Sequence, residues 1–204
     1  DENTFLFLAT LCDFHAAAKY NLMSVGSVRI FLLSDISKAF DRAQVGPLLH
    51  AIKCIINVPG IERLLSRISH LYSVGKIAVT KGGITVLVDK LGGVFQGDPM
   101  SPVLFMILME YVRRLLPPSL RPGIRFRSSI EGAKLRFEVD FADDQVRATD
   151  SVDEMRRLVS GLRKALDRVG LTWNPKKVKL LGLRYIGNGE IEVFDPLIDR
   201  GDGT

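Results

Sequence analysis

Cysteine is scarce in this 204-residue sequence. Cys12 and Cys54 are the only two, and they do not form a CxxC pair, so neither a disulfide framework nor a thiolate zinc site is indicated. A reducing, intracellular setting is the expectation. Long apolar runs are also missing. The longest, Val103–Met109, falls well short of the roughly 20 residues of a membrane span, so no membrane partner is expected. No secretory signal opens the chain, since Asp1-Glu2-Asn3 carries the wrong charge for one. An initiator Met is lacking too, and the expectation is a fragment of something longer. His15, His50 and His70 are scattered without partner spacing and read as structural or surface residues. No internal repeat, low-complexity tract or linker divides the chain.

What is present is the composition of a folded domain, 47% hydrophobic and 25% charged. Lys and Arg number 28 against 23 Asp and Glu, a net charge of +5. That excess favours a polyanionic partner through counterion release, although a merely basic protein has the same balance. Residues 4–20 read as a helix, and 28–35 (VRIFLLSD) as a strand ending at Asp35. Pro47 is expected to open a helix with Leu48, Leu49, Ile52, Ile55 and Ile56 on one stripe. Another is expected over Ile61–Tyr72. Two β-rich segments flank Lys81-Gly82-Gly83, a hairpin signal. Ser101-Pro102 reads as N-cap and first residue of an apolar helix closed by Pro117-Pro118. Ser151–Glu154 is a capping box, starting a helix that Gly170 stops. Short strands are expected near 178–187 and 190–194. The interleaving predicts an α+β fold, an antiparallel sheet with helices packed on one face.

Residues 135–150 (LRFEVDFADDQVRATD) carry the chemistry. The alternation of Leu135, Phe137, Val139 and Phe141 with polar residues is that of a half-buried strand, and it runs into Asp143-Asp144. Adjacent carboxylates repel, and a polar hairpin turn is one explanation. A second strand, however, ends at Asp35. Carboxylates delivered by two strands suit two-metal phosphoryl transfer, in which paired divalent ions offset the repulsion. In 92–110 (GGVFQGDPMSPVLFMILME), Gln96 precedes Gly97, a residue without Cβ beside which backbone can approach a ligand closely.

These segments together resemble reverse transcriptases. FLLSDISKAFDRA (31–43) is similar to that family's first palm motif and GVFQGDPMSP (93–102) to its second. FADD (141–144) is similar to the hallmark Tyr/Phe-x-Asp-Asp box, and GLTWNPKKVKLLG (170–182) to the fourth motif. Their order and spacing agree over about 28–182, most like non-LTR retrotransposon enzymes, with the group II intron type next. The resemblance implies a polymerase palm with a ferredoxin-like core. It implies RNA-templated DNA synthesis from dNTPs at a primer 3′-hydroxyl, with two Mg²⁺ ions for which Mn²⁺ can substitute. Asp35 and Asp143 are implied as ligands of both metals, Asp144 as a lesser ligand, and the carbonyl of Ile36 as a further one. Lys38 and Ala39 lie where backbone N–H groups meet the triphosphate. Phe40 lies where the family places a steric gate against ribose, with a plain core Phe as the alternative. Gln96 and Gly97 are implied to line the nucleotide pocket. Lys177 matches the lysine proposed to protonate the departing pyrophosphate, with a phosphate-neutralising surface cluster as the alternative. Asp98 is expected to cap the helix near Ser101, and Asp41 to brace its turn.

Arg113, Arg114, Arg121, Arg125 and Arg127 are candidates for duplex contact, though most are expected to be solvated. Tyr185-Ile186-Gly187 is similar to a primer grip but comes early, so the true one is expected beyond Thr204. The resemblance thus implies one domain over 1–204, a palm with part of the fingers. The N-terminal part of the fingers, the primer grip and the thumb are expected to lie outside it. The expected partners are RNA template, DNA primer and dNTPs, in the nucleus if the element primes on its target. Two other readings remain open: an inactive reverse-transcriptase-like RNA-binding scaffold, and a viral RNA-dependent RNA polymerase. Phe40 argues against the last, which carries a ribose-reading residue there.

Overall fold

The computed structural model describes residues 2–20, 22–89, 92–120, 123–125, 134–136, 138–141 and 144–198. The chain divides into two compact units, one of residues 1–36, 116–164 and 173–204, the other of 37–115 and 165–172.

The first unit is built on a sheet. Its strands are β1 (Val28–Asp35), β4 (Gly123–Arg125), β5 (Lys134–Arg136), β6 (Glu138–Phe141), β7 (Asp144–Thr149), β8 (Lys179–Gly187) and β9 (Glu190–Phe194). They lie in the order β5-β4-β7-β1-β8-β9, with β6 also paired to β7. Pairing is antiparallel except between β4 and β7. Read as β8-β1-β7-β6, the central strands take the order 4-1-3-2 of a βαββαβ unit, the ferredoxin-like arrangement of a polymerase palm. Helix α1 (Glu2–Lys19) lies against it. Phe14 and Ala18 form one core with Phe31, Val146, Ala148, Leu183 and Tyr185. These strand residues are cross-strand neighbours on one face: Phe31 lies opposite Ala148 and Leu181, and Leu33 opposite Val146. Ile30 and Leu32, on the opposite face of β1, are also fully buried. Tyr185, the first residue of the segment similar to a primer grip, belongs to this core.

Helix α6 (Val152–Arg168) follows β7 at the expected place. The Ser151 hydroxyl accepts the Glu154 N–H at 3.4 Å, half of the capping box. Met155, Leu158, Val159 and Leu162 make its buried stripe. Past its end the Leu171 N–H returns to the Leu166 carbonyl, and the Gly170 N–H to that of Asp167.

The second unit holds α2 (Ala39–Arg42), α3 (Val45–Ile55), α4 (Ile61–Val74), β2 (Lys76–Lys81), β3 (Ile84–Asp89) and α5 (Met100–Leu115). Helix α3 begins two residues before Pro47. Proline still sits in the first turn, where backbone N–H groups have no helical acceptor to lose. Helix α5 begins at Met100, and its cap is Asp98, whose Oδ1 accepts the Met100 N–H at 3.1 Å. Ser101, expected as the cap, is instead buried within the helix, its Oγ 3.4 Å from the Tyr72 hydroxyl. The carboxylate captures the orphan N–H one residue earlier and displaces Ser101 inward. The β2–β3 hairpin forms as expected, Val79 opposite Val86 and Ile77 opposite Val88, with all its residues exposed.

Candidate active site

Antiparallel pairing sets the first part of the site. Asp35, the last residue of β1, lies directly opposite Asp144, the first of β7. Direct partners share a face, with Cα atoms about 4.5–5.5 Å apart. β1 and β7 therefore bring both carboxylates to one end of the sheet. β6 and β7 pair with Phe141 opposite Asp144. Asp143, between them in sequence, lies outside the described residues.

Asp35 is buried, its side chain 8% exposed, and the Lys177 ammonium donates to its Oδ1 at 2.7 Å. The loop bearing Lys177 is tied to the same strand end. The Asn174 N–H donates to the Asp35 carbonyl at 2.8 Å, and the Lys177 N–H to the Asn174 carbonyl at 2.9 Å. Ile36 is buried and bridges to Trp173. The bonds flanking that bridge use the Asp35 carbonyl and the Ser37 N–H, and neither uses the carbonyl of Ile36. Beneath this end, Gln145 Oε1 accepts from the Ser34 hydroxyl at 3.3 Å and from Trp173 Nε1 at 3.4 Å. Indole N–H only donates, so the amide oxygen must face it, and Gln145 Nε2 is left buried with no partner among the described residues. Asn174, Gln145 and Trp173 were not singled out from the sequence for this role. A polar residue next to the Asp pair was the available signal for Gln145.

The residues present fit a divalent cation. Two carboxylates, hard oxygen donors, converge in register, and the buried one already draws a cation, the Lys177 ammonium, as stand-in. Among the described residues no three His, Cys, Asp or Glu side chains gather into a metal-holding group, and Asp143 falls outside that set.

The second unit holds the residues expected to meet the nucleotide. Lys38 takes a left-handed conformation, φ 49° and ψ 48°, and Ala39 opens α2. Phe40, half-buried, stacks its ring on Phe105, centroids 5.4 Å apart. Gln96 Nε2 donates to Asp41 Oδ1 at 3.2 Å, so Asp41 braces this turn as expected. Gly97 has φ +86° with nothing within 4 Å of an added Cβ, so here glycine serves the backbone turn rather than a crowded contact. Arg113 and Arg114 both pair with Glu110, which holds its carboxyl down at about 2 through the Arg113 hydrogen bond first and that of Arg114 beside it. The side chains of Arg121, Arg125 and Arg127 lie outside the described residues.

A ferredoxin-like sheet that ends in paired carboxylates on neighbouring strands defines a polymerase palm. The chain belongs to the reverse transcriptase (RNA-dependent DNA polymerase) family, whose model matches residues 5–188, and divalent-metal dependence is general to that family. It is 28% identical over 186 residues to the "Retrovirus-related Pol polyprotein from type-1 retrotransposable element R2" of Nasonia vitripennis, covering 89% of this chain and 16% of that protein. With the protein of the same name from Popillia japonica it shares 33% over 146 residues, 70% of this chain and 22% of that protein. The chain thus spans less than a quarter of the length of these relatives. Among solved structures, apo telomerase from Candida tropicalis, truncated from the C-terminal domain, matches with a TM-score of 0.61 at 15% identity. The match covers 94% of this chain and 40% of that one, a likeness of fold.

Proposed function

We propose that this chain is the palm of an enzyme that copies RNA into DNA for a non-LTR-type retroelement. It would join dNTPs to a DNA primer 3′-hydroxyl along an RNA template. One observation carries this reading: Asp35 and Asp144 meet across two strands, with Lys177 on a loop tied to the same strand end. The likeness to R2 Pol polyproteins supports the retroelement assignment. Target-primed synthesis would place the work in the nucleus.

Asp35, Asp143, Asp144 and the carbonyl of Ile36 would hold two Mg²⁺ ions, with Mn²⁺ as substitute. When bound, such ions activate a hydroxyl and neutralise phosphate charge. The remaining work falls to the protein. Lys177 is the proton donor to the departing pyrophosphate, kept beside the carboxylates by the Asn174 contact. The N–H groups of Lys38 and Ala39 receive the triphosphate. Gln96 and Gly97 line the nucleotide pocket, and the Phe40 ring excludes a 2′-hydroxyl. All three acidic positions keep their carboxylates, which favours an active enzyme over a scaffold.

Primer extension on an RNA template with Mg²⁺ tests the proposal, using the protein at its full natural length and its Asp143→Ala variant. Extension by the former alone is expected. Equal extension by both overturns the mechanism.

A further inference from the structure

A steric gate needs more than a ring in the right place. A pocket that merely tolerates an added hydroxyl discriminates weakly, and a ring free to swing aside makes room for one more oxygen. Positioning within about 0.5 Å is the usual demand on such a constellation, met by locked rotamers and close packing.

Phe40 is held in that manner, by contacts within the second unit. Its ring lies on that of Phe105, interplanar angle 28°, and Phe105 is fully buried on α5. Its carbonyl accepts the Val94 N–H at 2.7 Å. That approach depends on Gly93. With φ +74°, a Cβ there would lie 2.3 Å from the Phe40 carbonyl oxygen and 2.5 Å from that of Asp41. Both obstacles are backbone and cannot rotate away. Gln96 adds the bond to Asp41. Gly93 and Val94 therefore grip the backbone that carries Phe40, Gln96 holds the neighbouring Asp41 side chain, and Phe105 backs the Phe40 ring.

We infer that Gly93 and Phe105 are positioning residues that determine sugar specificity: they fix Phe40 so that it yields no space to a 2′-hydroxyl. This rests on the reading of Phe40 as the gate.

The test compares dATP with ATP on an RNA template, as the ratio of kcat/KM values, using the protein at its full natural length. A second readout is competition between the same two nucleotides in equilibrium binding, so a variant too slow to extend a primer still answers. Phe40→Ala is the control on the gate. Phe105→Leu and Gly93→Ala are the test variants. Leu108→Ala, at another fully buried position of α5, is the control for lost packing. Phe105→Leu and Gly93→Ala are each expected to lower the dATP preference by about tenfold, short of the roughly hundredfold that a full 1 Å misplacement can cost. The change should come through a lower KM for ATP. Leu108→Ala is expected to lower the melting temperature and leave the ratio alone. A relaxed ratio in Phe40→Ala beside an unchanged one in folded Phe105→Leu overturns the inference and leaves the gate standing. An unchanged ratio in Phe40→Ala removes the gate itself, and this inference with it.

Discussion

The two ends of β1 hold opposite charges in different ways. Near its start, Arg29 is 5% exposed and fixed from several sides. Its guanidinium meets Asp13 at 3.1 Å and Asp150 at 3.4 Å, reaches the Thr10 carbonyl and lies 5.3 Å over the Phe14 ring. At its far end, buried Asp35 is met by Lys177, whose own side chain is 59% exposed. Residues 29 and 35 share a face of the sheet, so the contrast is one of partners. The arginine is planar, multiply bonded and enclosed, which suits a permanent fastening. The lysine is a flexible arm reaching in from solvent, which suits a partner that leaves. One pairing builds the fold, and under the proposed function the other holds a place for chemistry.

The contrast can be broken at the chemical end first. Asp35→Asn keeps the shape and removes the charge, and should cut primer extension by at least about a hundredfold, the scale of losing one preorganised electrostatic contact. Urea unfolding of the same variant should show a far smaller change. Arg29→Met should do the reverse, costing about 3 kcal/mol of stability by removing one partner of a buried ionic cluster. A urea midpoint unmoved by Arg29→Met would erase the distinction between the ends. Lys177→Met sharpens it. Extension should slow by about a hundredfold for loss of a proton donor, while Mn²⁺, followed by electron paramagnetic resonance, should bind more tightly once the competing ammonium is gone. Weaker Mn²⁺ binding would mean that Lys177 does not compete for Asp35.

The smallest effect belongs to a half-buried cluster for reference. Glu110, held at about 2 by Arg113 and Arg114, lies below the ordinary carboxylate value of 4.5. A depressed folded-state pKa stabilises above the unfolded value, and that contribution is lost as pH falls through about 2. Glu110→Gln should therefore cost about 0.5 kcal/mol at pH 7, with the difference fading in the acid range. Thermal melts at both pH values would measure it.

The local parts of this picture were legible in the sequence. Alternation located the strand that runs into Asp143-Asp144, β-rich composition located β1 and β8, the capping box located α6, and the order of the motifs pointed to Asp35 meeting the Asp143-Asp144 pair. The strands and the helix depend on spacing within about a dozen residues or on local composition, and the meeting of the acids was read only through the family resemblance. The parts that were not legible are long-range. Nothing local to Arg29 names Asp13 or Asp150, and nothing in Gly92-Gly93 reveals the carbonyl of Phe40 above it. Of the two caps expected at α5 the structure takes Asp98, which the family motif suggested, over Ser101, whose place before a proline has only the form of a cap.

The Asn174 amide joins the loop of Lys177 to the main chain of Asp35. Lys177 and Asp35 therefore travel as one body, and a fluctuation that frees one displaces the other. Deuterium uptake at that single N–H would report how often this end of the sheet comes apart.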